Sequence, residues 1–147
     1  MPIPWDELSV GTQTGRVEFV VTDQMIDDYL AAMEIDHQWF TTSQSPYGGR
    51  IAPSDMVPKL AMTELFQDYI HRVMGPNMRA KQAFKFFGPV RPGMTIKAVG
   101  RLAEKYERRG KRFVTLEALF TDAAGTPLVL DRRTQYLPDP DAAAKSQ

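Results

Sequence analysis

An acid and an imidazole stand side by side in Asp36-His37-Gln38-Trp39-Phe40, a run that ends in two aromatic rings. A carboxylate and a histidine are the side chains best suited to moving protons near neutral pH. Ten residues on, Tyr47-Gly48-Gly49-Arg50-Ile51-Ala52-Pro53-Ser54 leads into a long apolar stretch. Tyr47 brings a hydroxyl donor, and Gly48 and Gly49 supply the positive φ angles of a tight loop. Ser54 stands where a helix would begin, and free N–H groups there favour negative charge. Each residue also has a plainer use. Asp36 can cap a turn ahead of Trp39, His37 can be a partly exposed loop histidine, and Tyr47 can pack over the glycine pair. Ser54 reads as a cap rather than a nucleophile, because no His–Asp pair stands in triad order. Trp39, Phe40, Phe84 and Phe86 can line an apolar tunnel or fill a core.

The element that must position this loop is the helix predicted over Asp55 to Met74. Lys59, Thr63, Glu64, Gln67, Asp68, His71 and Arg72 fall on one stripe at helical spacing, which puts His71 at the surface. Met56, Val57, Leu60, Ala61, Met62, Leu65, Phe66, Tyr69, Ile70 and Val73 cover the rest. An apolar arc that wide belongs to a helix wrapped by other structure. Ser54 or Asp55 is the predicted cap, Pro58 falls in the first turn where it removes no intrahelical bond, and Gly75-Pro76-Asn77 stops the helix. A site, if the chain has one, belongs at the junction of the 36–50 loop with this helix.

The flanking sequence supplies the wrapping. Residues 1–15 read as an irregular arm whose Trp5 and Leu8 pack on the body, and 16–21 as a first strand. Thr22 or Asp23 caps a helix from Gln24 to Met33, and 36–53 is loop with a helical turn near 36–40. Four strand-like runs follow the central helix, at 78–87, 95–106, 112–121 and 127–137. Arg109-Gly110 and Ala124-Gly125 mark short antiparallel connections. Residues 139–147 form a polar tail. This is an α+β plan in a single domain, a sheet curled around one apolar helix, and burying ten such side chains at about 1.5–3 kcal/mol each would dominate folding. That is the physical content of a hot-dog fold.

Bulk composition narrows the function. The 147 residues are 43% hydrophobic and 24% charged with no net formal charge, so nothing marks a nucleic-acid surface. The Arg108-Arg109-Gly110-Lys111-Arg112 run reads as a solvated hairpin tip. No cysteine and only two histidines leave neither thiol chemistry nor a histidine-based metal site to expect. No apolar run is long enough to span a membrane and no leader is evident, so a soluble cytoplasmic chain is expected.

Several segments together are similar to one family. Val21-Thr22-Asp23 precedes a helix that ends in Ala31-Ala32-Met33-Glu34-Ile35-Asp36, and Phe84-Lys85-Phe86 precedes Pro89-Val90-Arg91-Pro92-Gly93-Met94-Thr95. With Glu104-Lys105, Thr121-Asp122-Ala123-Ala124-Gly125 and Tyr136-Leu137-Pro138, the chain over roughly residues 16–138 resembles the MaoC-like dehydratases, the hot-dog family that includes (R)-specific enoyl-CoA hydratases. The resemblance implies a hydro-lyase that adds or removes water at the α,β-bond of an acyl thioester, with CoA as a substrate handle and no cofactor. It assigns Asp36 and His37 as the acid–base pair and Tyr47, Gly49, Ser54 and Trp39 to the substrate, the Ser54 amide polarising the thioester carbonyl. It implies a homodimer joined edge to edge, with a heterodimer as the alternative. Gln38 and Trp39 stand where the family has Asn and Pro, Thr41 stands where its catalytic His is expected, and Pro53-Ser54 replaces His-Gly. The Tyr47-Gly48-Gly49 and Ile51-Ala52-Pro53 pattern is similar to a branch whose members serve as the non-catalytic half of a heterodimer. Two alternatives follow: a silent acyl-binding subunit, and a hot-dog enzyme acting on a non-thioester carbonyl compound.

Overall fold

The structure is a computed structural model that describes residues 3–138, so the tail expected over 139–147 lies outside the described residues. Five antiparallel strands form one sheet in the order β1-β3-β4-β5-β2. They are β1 (Gln13–Val20), β2 (Met78–Phe86), β3 (Thr95–Arg108), β4 (Lys111–Thr121) and β5 (Pro127–Leu137). Val114, Leu116, Ala118 and Phe120 alternate along β4 and are all buried, as their spacing predicts. β3, β4 and β5 make a meander. The fourth expected member, β2, departs from it by pairing with β5 at the far edge. The connection over 87–94 therefore crosses the sheet, and its prolines, Pro89 and Pro92, have no N–H to give to a strand ladder.

β1 starts at Gln13, three residues earlier than expected, and takes in part of the arm. The remaining arm docks as anticipated: Leu8 is buried, and Trp5 packs against the core from a short 3-10 turn over Trp5–Glu7. α1 (Asp23–Met33) is capped by Thr22, whose hydroxyl accepts from the Met25 amide at 3.0 Å. Ile26, Tyr29 and Leu30 face the core, whereas Met33 is exposed.

The central helix is where expectation and structure part most. An α-helix, α3, covers only Met56–Leu60, and the chain continues as π-helical turns over Thr63–Gln67 and Ile70–Met74. The polar stripe faces outward as predicted, with Gln67 half-buried and the other six exposed. Leu60 joins that outward face instead of the core. Neither predicted cap operates, because no side chain caps α3. The Asp55 carboxylate is taken by the Tyr29 hydroxyl and the Lys59 ammonium, both at 3.0 Å.

The wide turns have a physical cause in two distant glycines. A Cβ on Gly15 would stand 2.0 Å from the Glu64 carbonyl oxygen, and one on Gly100 would stand 2.9 Å from that of Leu65. Helix backbone thus rests directly on β1 and β3. The Thr14 hydroxyl donates to the Leu65 carbonyl at 2.7 Å, giving a partner to a group the widened turn presents to the sheet. Towards the β2 edge the core turns polar: Arg133 pairs with Asp131 at 2.7 Å and lies 4.6 Å from the Phe66 ring centre, all three buried. Among the described residues no helix is long and apolar enough to cross a membrane.

Candidate functional site

A cleft of about 310 Å³ opens where the 36–53 segment meets the start of α3. Its walls are Trp39, Phe40, Tyr47, Ile51, Ala52 and Ser54 on one side, and Phe86, Phe87, Gly88 and Pro89 on the other. The second wall comes from the end of β2, whose alternation turns Phe84 and Phe86 towards the helix, and from the turn that follows. Phe84 and Phe86 stack on each other at 5.9 Å.

The long segment is held by few but well-directed bonds. Ile51 donates its amide to Trp39 O at 3.2 Å and Ala52 donates to Val90 O at 2.8 Å, so both ends of the loop are tied down. The Ser45 hydroxyl donates to the Gly49 carbonyl and also accepts from the Tyr47 amide, which tightens the glycine turn. Arg50 gives the strongest restraint. Its guanidinium reaches Asp23 at 2.8 Å and Asp27 at 2.5 Å on α1, while its Nε donates to Phe40 O at 2.5 Å. Burial alone would ease the proton off Arg50, but the hydrogen bonds to Asp27 and Asp23 outweigh it and hold its pKa above the ordinary value.

The structure gathers part of the expected set and leaves part outside. Trp39, Tyr47 and Ser54 line the cleft together. Trp39 and Tyr47 meet edge to face at 6.4 Å and form its outer lip. Gly49 is not in the wall; it acts as the acceptor that closes the loop. Asp36 and His37 do not line the cleft, and both are exposed in the single chain. His37 caps the helical turn α2 (Gln38–Thr41), its Nδ1 accepting from the Trp39 amide at 3.2 Å. That bond needs a lone pair on Nδ1 and leaves the ring proton on Nε2. The imidazole nevertheless stays near the lip, 5.3 Å from the Trp39 ring and 5.6 Å from Phe40. No hydrogen bond joins Asp36 to His37 among the described residues, and none there form a three-residue group of His, Asp and Glu placed for a metal.

Phe87, Gly88 and Pro89, which complete the wall, were not among the candidate site residues; Phe87 directly after Phe84-Lys85-Phe86 was the available signal. The Arg50 clamp was also missed, although Asp23 and Asp27 stand four apart on one helix face. Chemically, the cleft can hold an apolar chain against aromatic rings and offer the Tyr47 and Ser54 hydroxyls. It carries no carboxylate, imidazole or amine of its own.

A curled antiparallel sheet around one apolar helix, with an aromatic cleft at the helix start, defines a hot-dog protein. Residues 9–131 match the family of the FAS1-like dehydratase domain region, and the chain belongs to that family, within the MaoC-like hot-dog proteins. Among solved structures, the monoamine oxidase regulatory protein of Archaeoglobus fulgidus is similar at a TM-score of 0.79 and 17% identity, over 92% of this chain and 94% of that one. The (R)-hydratase PhaJ1 of Pseudomonas aeruginosa is similar at 0.70 and 18%, over 94% and 87%. The HadBC (3R)-hydroxyacyl-ACP dehydratase complex of Mycobacterium tuberculosis is similar at 0.69 and 23%, over 83% and 93%. These likenesses establish the fold. No curated protein matches the chain by sequence.

Proposed function

We propose that this chain is the acyl-binding half of a dehydratase that adds or removes water at the α,β-bond of an acyl thioester, its acid and base being supplied by a related partner chain. The observation that carries this reading is the composition of the cleft: ten lining residues, most of them apolar or aromatic, without a group that exchanges protons at neutral pH. Removing a proton α to a thioester and protonating the leaving hydroxyl both need such a group. The cleft supplies the other requirement, a surface that excludes water around an acyl chain. Membership of the dehydratase-region family supports the reaction class. The exposed edge of β2, with Met78 63% and Phe86 48% accessible, supports pairing with a second chain.

A second reading has its own observation. The contact of the His37 ring with Trp39 and Phe40 keeps an imidazole at the lip, so this chain with Asp36 and His37 would be a hydro-lyase itself, as a homodimer. Purification followed by assay with crotonyl-CoA and with longer and aromatic enoyl-CoA substrates separates the two. Turnover only with a co-expressed homologous chain supports the half-site. Turnover by the chain alone, lost in Asp36→Ala and His37→Ala, would transfer the chemistry to this chain.

A further inference from the structure

We infer that the tip of the β3–β4 hairpin, on the sheet face turned away from the central helix, binds the phosphorylated nucleotide end of a CoA thioester through Arg108, Arg109 and Lys111. Strand alternation sorts the cations of this hairpin into two groups. In the register Lys105 stands opposite Val114 and Glu107 opposite Arg112, on the side of the buried Val114. Lys105 and Arg112 are committed there to Trp5: the ammonium lies 5.1 Å and the guanidinium 5.4 Å from the indole centre. Lys105 also donates to Trp5 O at 2.8 Å, and Arg112 meets Glu107 at 3.2 Å. On the other face Arg108 stands opposite Lys111, two residues beyond the pair Tyr106 and Phe113. Among the described residues Arg108, Arg109 and Lys111 form no ion pair with an acidic side chain, and Lys111 lies 5.9 Å from the Tyr136 ring centre.

These three cations and Phe113 surround a depression of about 260 Å³. Phe113 sits between Tyr106 at 5.3 Å and Tyr136 at 5.6 Å, so an aromatic row runs across the sheet up to the cations. Guanidinium forks match phosphate oxygens in pairs, and an aromatic row offers a base an apolar surface. A small concavity with both features fits a nucleotide bisphosphate better than a protein surface, which would meet a broad flat patch. Arg109 has φ 53°, in a turn where asparagine, aspartate or glycine is favoured. A long cationic side chain held in that conformation points to a use beyond turning the chain.

The tip lies at the end of the sheet opposite the cleft. Tyr136 on β5 pairs with Met78 at the start of β2, whereas Phe86, which lines the cleft, ends a strand roughly 30 Å long. Antiparallel pairing of two β2 edges sets the Met78 end of one chain beside the Phe86 end of the other, with both helices on one side of the joined sheet. The pantetheine arm of a thioester seated in the neighbour's cleft would therefore pass over the strand ends to reach this face. The proposal rests on the acyl-thioester reading above.

Calorimetric titration of the full chain with adenosine 3′,5′-bisphosphate tests it. Saturable binding is expected, weakened by salt and by roughly tenfold in each of Arg108→Ala, Arg109→Gly and Lys111→Ala. Arg109→Gly should raise Tm at the same time, since glycine accepts the turn geometry, and this separates lost binding from lost folding. Phe113→Leu should weaken the bisphosphate while leaving inorganic phosphate unchanged. Absence of saturable binding, binding indifferent to the three cations, or binding no tighter than inorganic phosphate would overturn the assignment. So would dependence on these cations confined to a phosphopantetheinyl carrier domain. Acyl-pantetheine, which lacks the nucleotide, reports on the Trp39 cleft separately: its failure to bind beside an intact bisphosphate response strikes the acyl-cleft reading and upholds this site.

Discussion

The Thr14 hydroxyl donates to the Leu65 carbonyl across 2.7 Å, a side-chain bond from the first strand into the middle of the central helix. Most helices offer their flank to a sheet through side chains. Here Gly15 and Gly100 remove those side chains from the sheet, the backbones meet, and the helix widens into π turns at the contact. The seat of the central helix on β1 and β3 is set by this backbone contact.

Thr14→Val should therefore destabilise by about 1–3 kcal/mol, because the buried Leu65 carbonyl loses its donor while packing volume is kept. Gly100→Ala should cost more, since the new methyl would press on Thr14, Leu65 and Phe66 together. Urea unfolding of both variants checks the order, and equal small losses would mean the helix is free to move off the sheet.

Arg50→Met is expected to separate function from stability. Asp23 and Asp27 are 69% and 58% exposed, so their ion pairs with Arg50 stabilise the fold by only about 1 kcal/mol. The same guanidinium fixes Phe40 against α1 and thereby one wall of the cleft. Acyl-pantetheine affinity should fall severalfold while Tm moves little. Arg50→Lys should not rescue binding, because an ammonium cannot span two carboxylates and a carbonyl in one plane.

What the sequence disclosed, and what it withheld, follows from the range of each signal. Val114, Leu116, Ala118 and Phe120 announced β4 because alternation is local, and the polar stripe from Lys59 to Arg72 announced the outward helix face for the same reason. The π turns were hidden because Thr63 to Met74 keeps ordinary helical spacing; their cause lies at Gly15 and Gly100, far away in the chain. The place of β2 beside β5 is likewise a long-range choice. At the candidate site, the family resemblance pointed to the stretch from Asp36 to Ser54, and the structure places Trp39, Tyr47 and Ser54 along one cleft. The resemblance did not tell which way His37 points, because that is decided by the His37 bond to the Trp39 amide.

Glu117 gives the chain a defined acid sensitivity. Burial by itself would raise its pKa, but Arg101 at 2.8 Å and Arg132 at 2.7 Å outweigh that and hold it below the ordinary value. A folded pKa below the unfolded one means the stabilisation is complete above about pH 4.3 and is lost as pH falls through the lower folded value. Glu117→Gln should thus be less stable than the parent at neutral pH, with the gap closing below about pH 4. Urea midpoints across that range test it, and a gap that widens in acid would reverse the sign.

The two functional readings part at Trp39 and His37, two residues apart. Trp39→Ala removes one lip of the cleft from a ring that is 36% exposed, so stability should change little while acyl-pantetheine affinity drops by about tenfold. His37→Ala removes the cap from α2, a cost of about 1 kcal/mol, and takes away the ring that borders Trp39 and Phe40 from outside the cleft. If the acid and base come from a partner chain, the two-chain assembly with His37→Ala should keep its kcat within about twofold, and its loss should lie in stability. If His37 transfers protons, kcat should fall by about 100-fold or more with acyl affinity unchanged. Measuring kcat and acyl affinity on the same two variants assigns the imidazole to structure or to chemistry, because a cap cannot lower kcat while leaving both binding and folding intact.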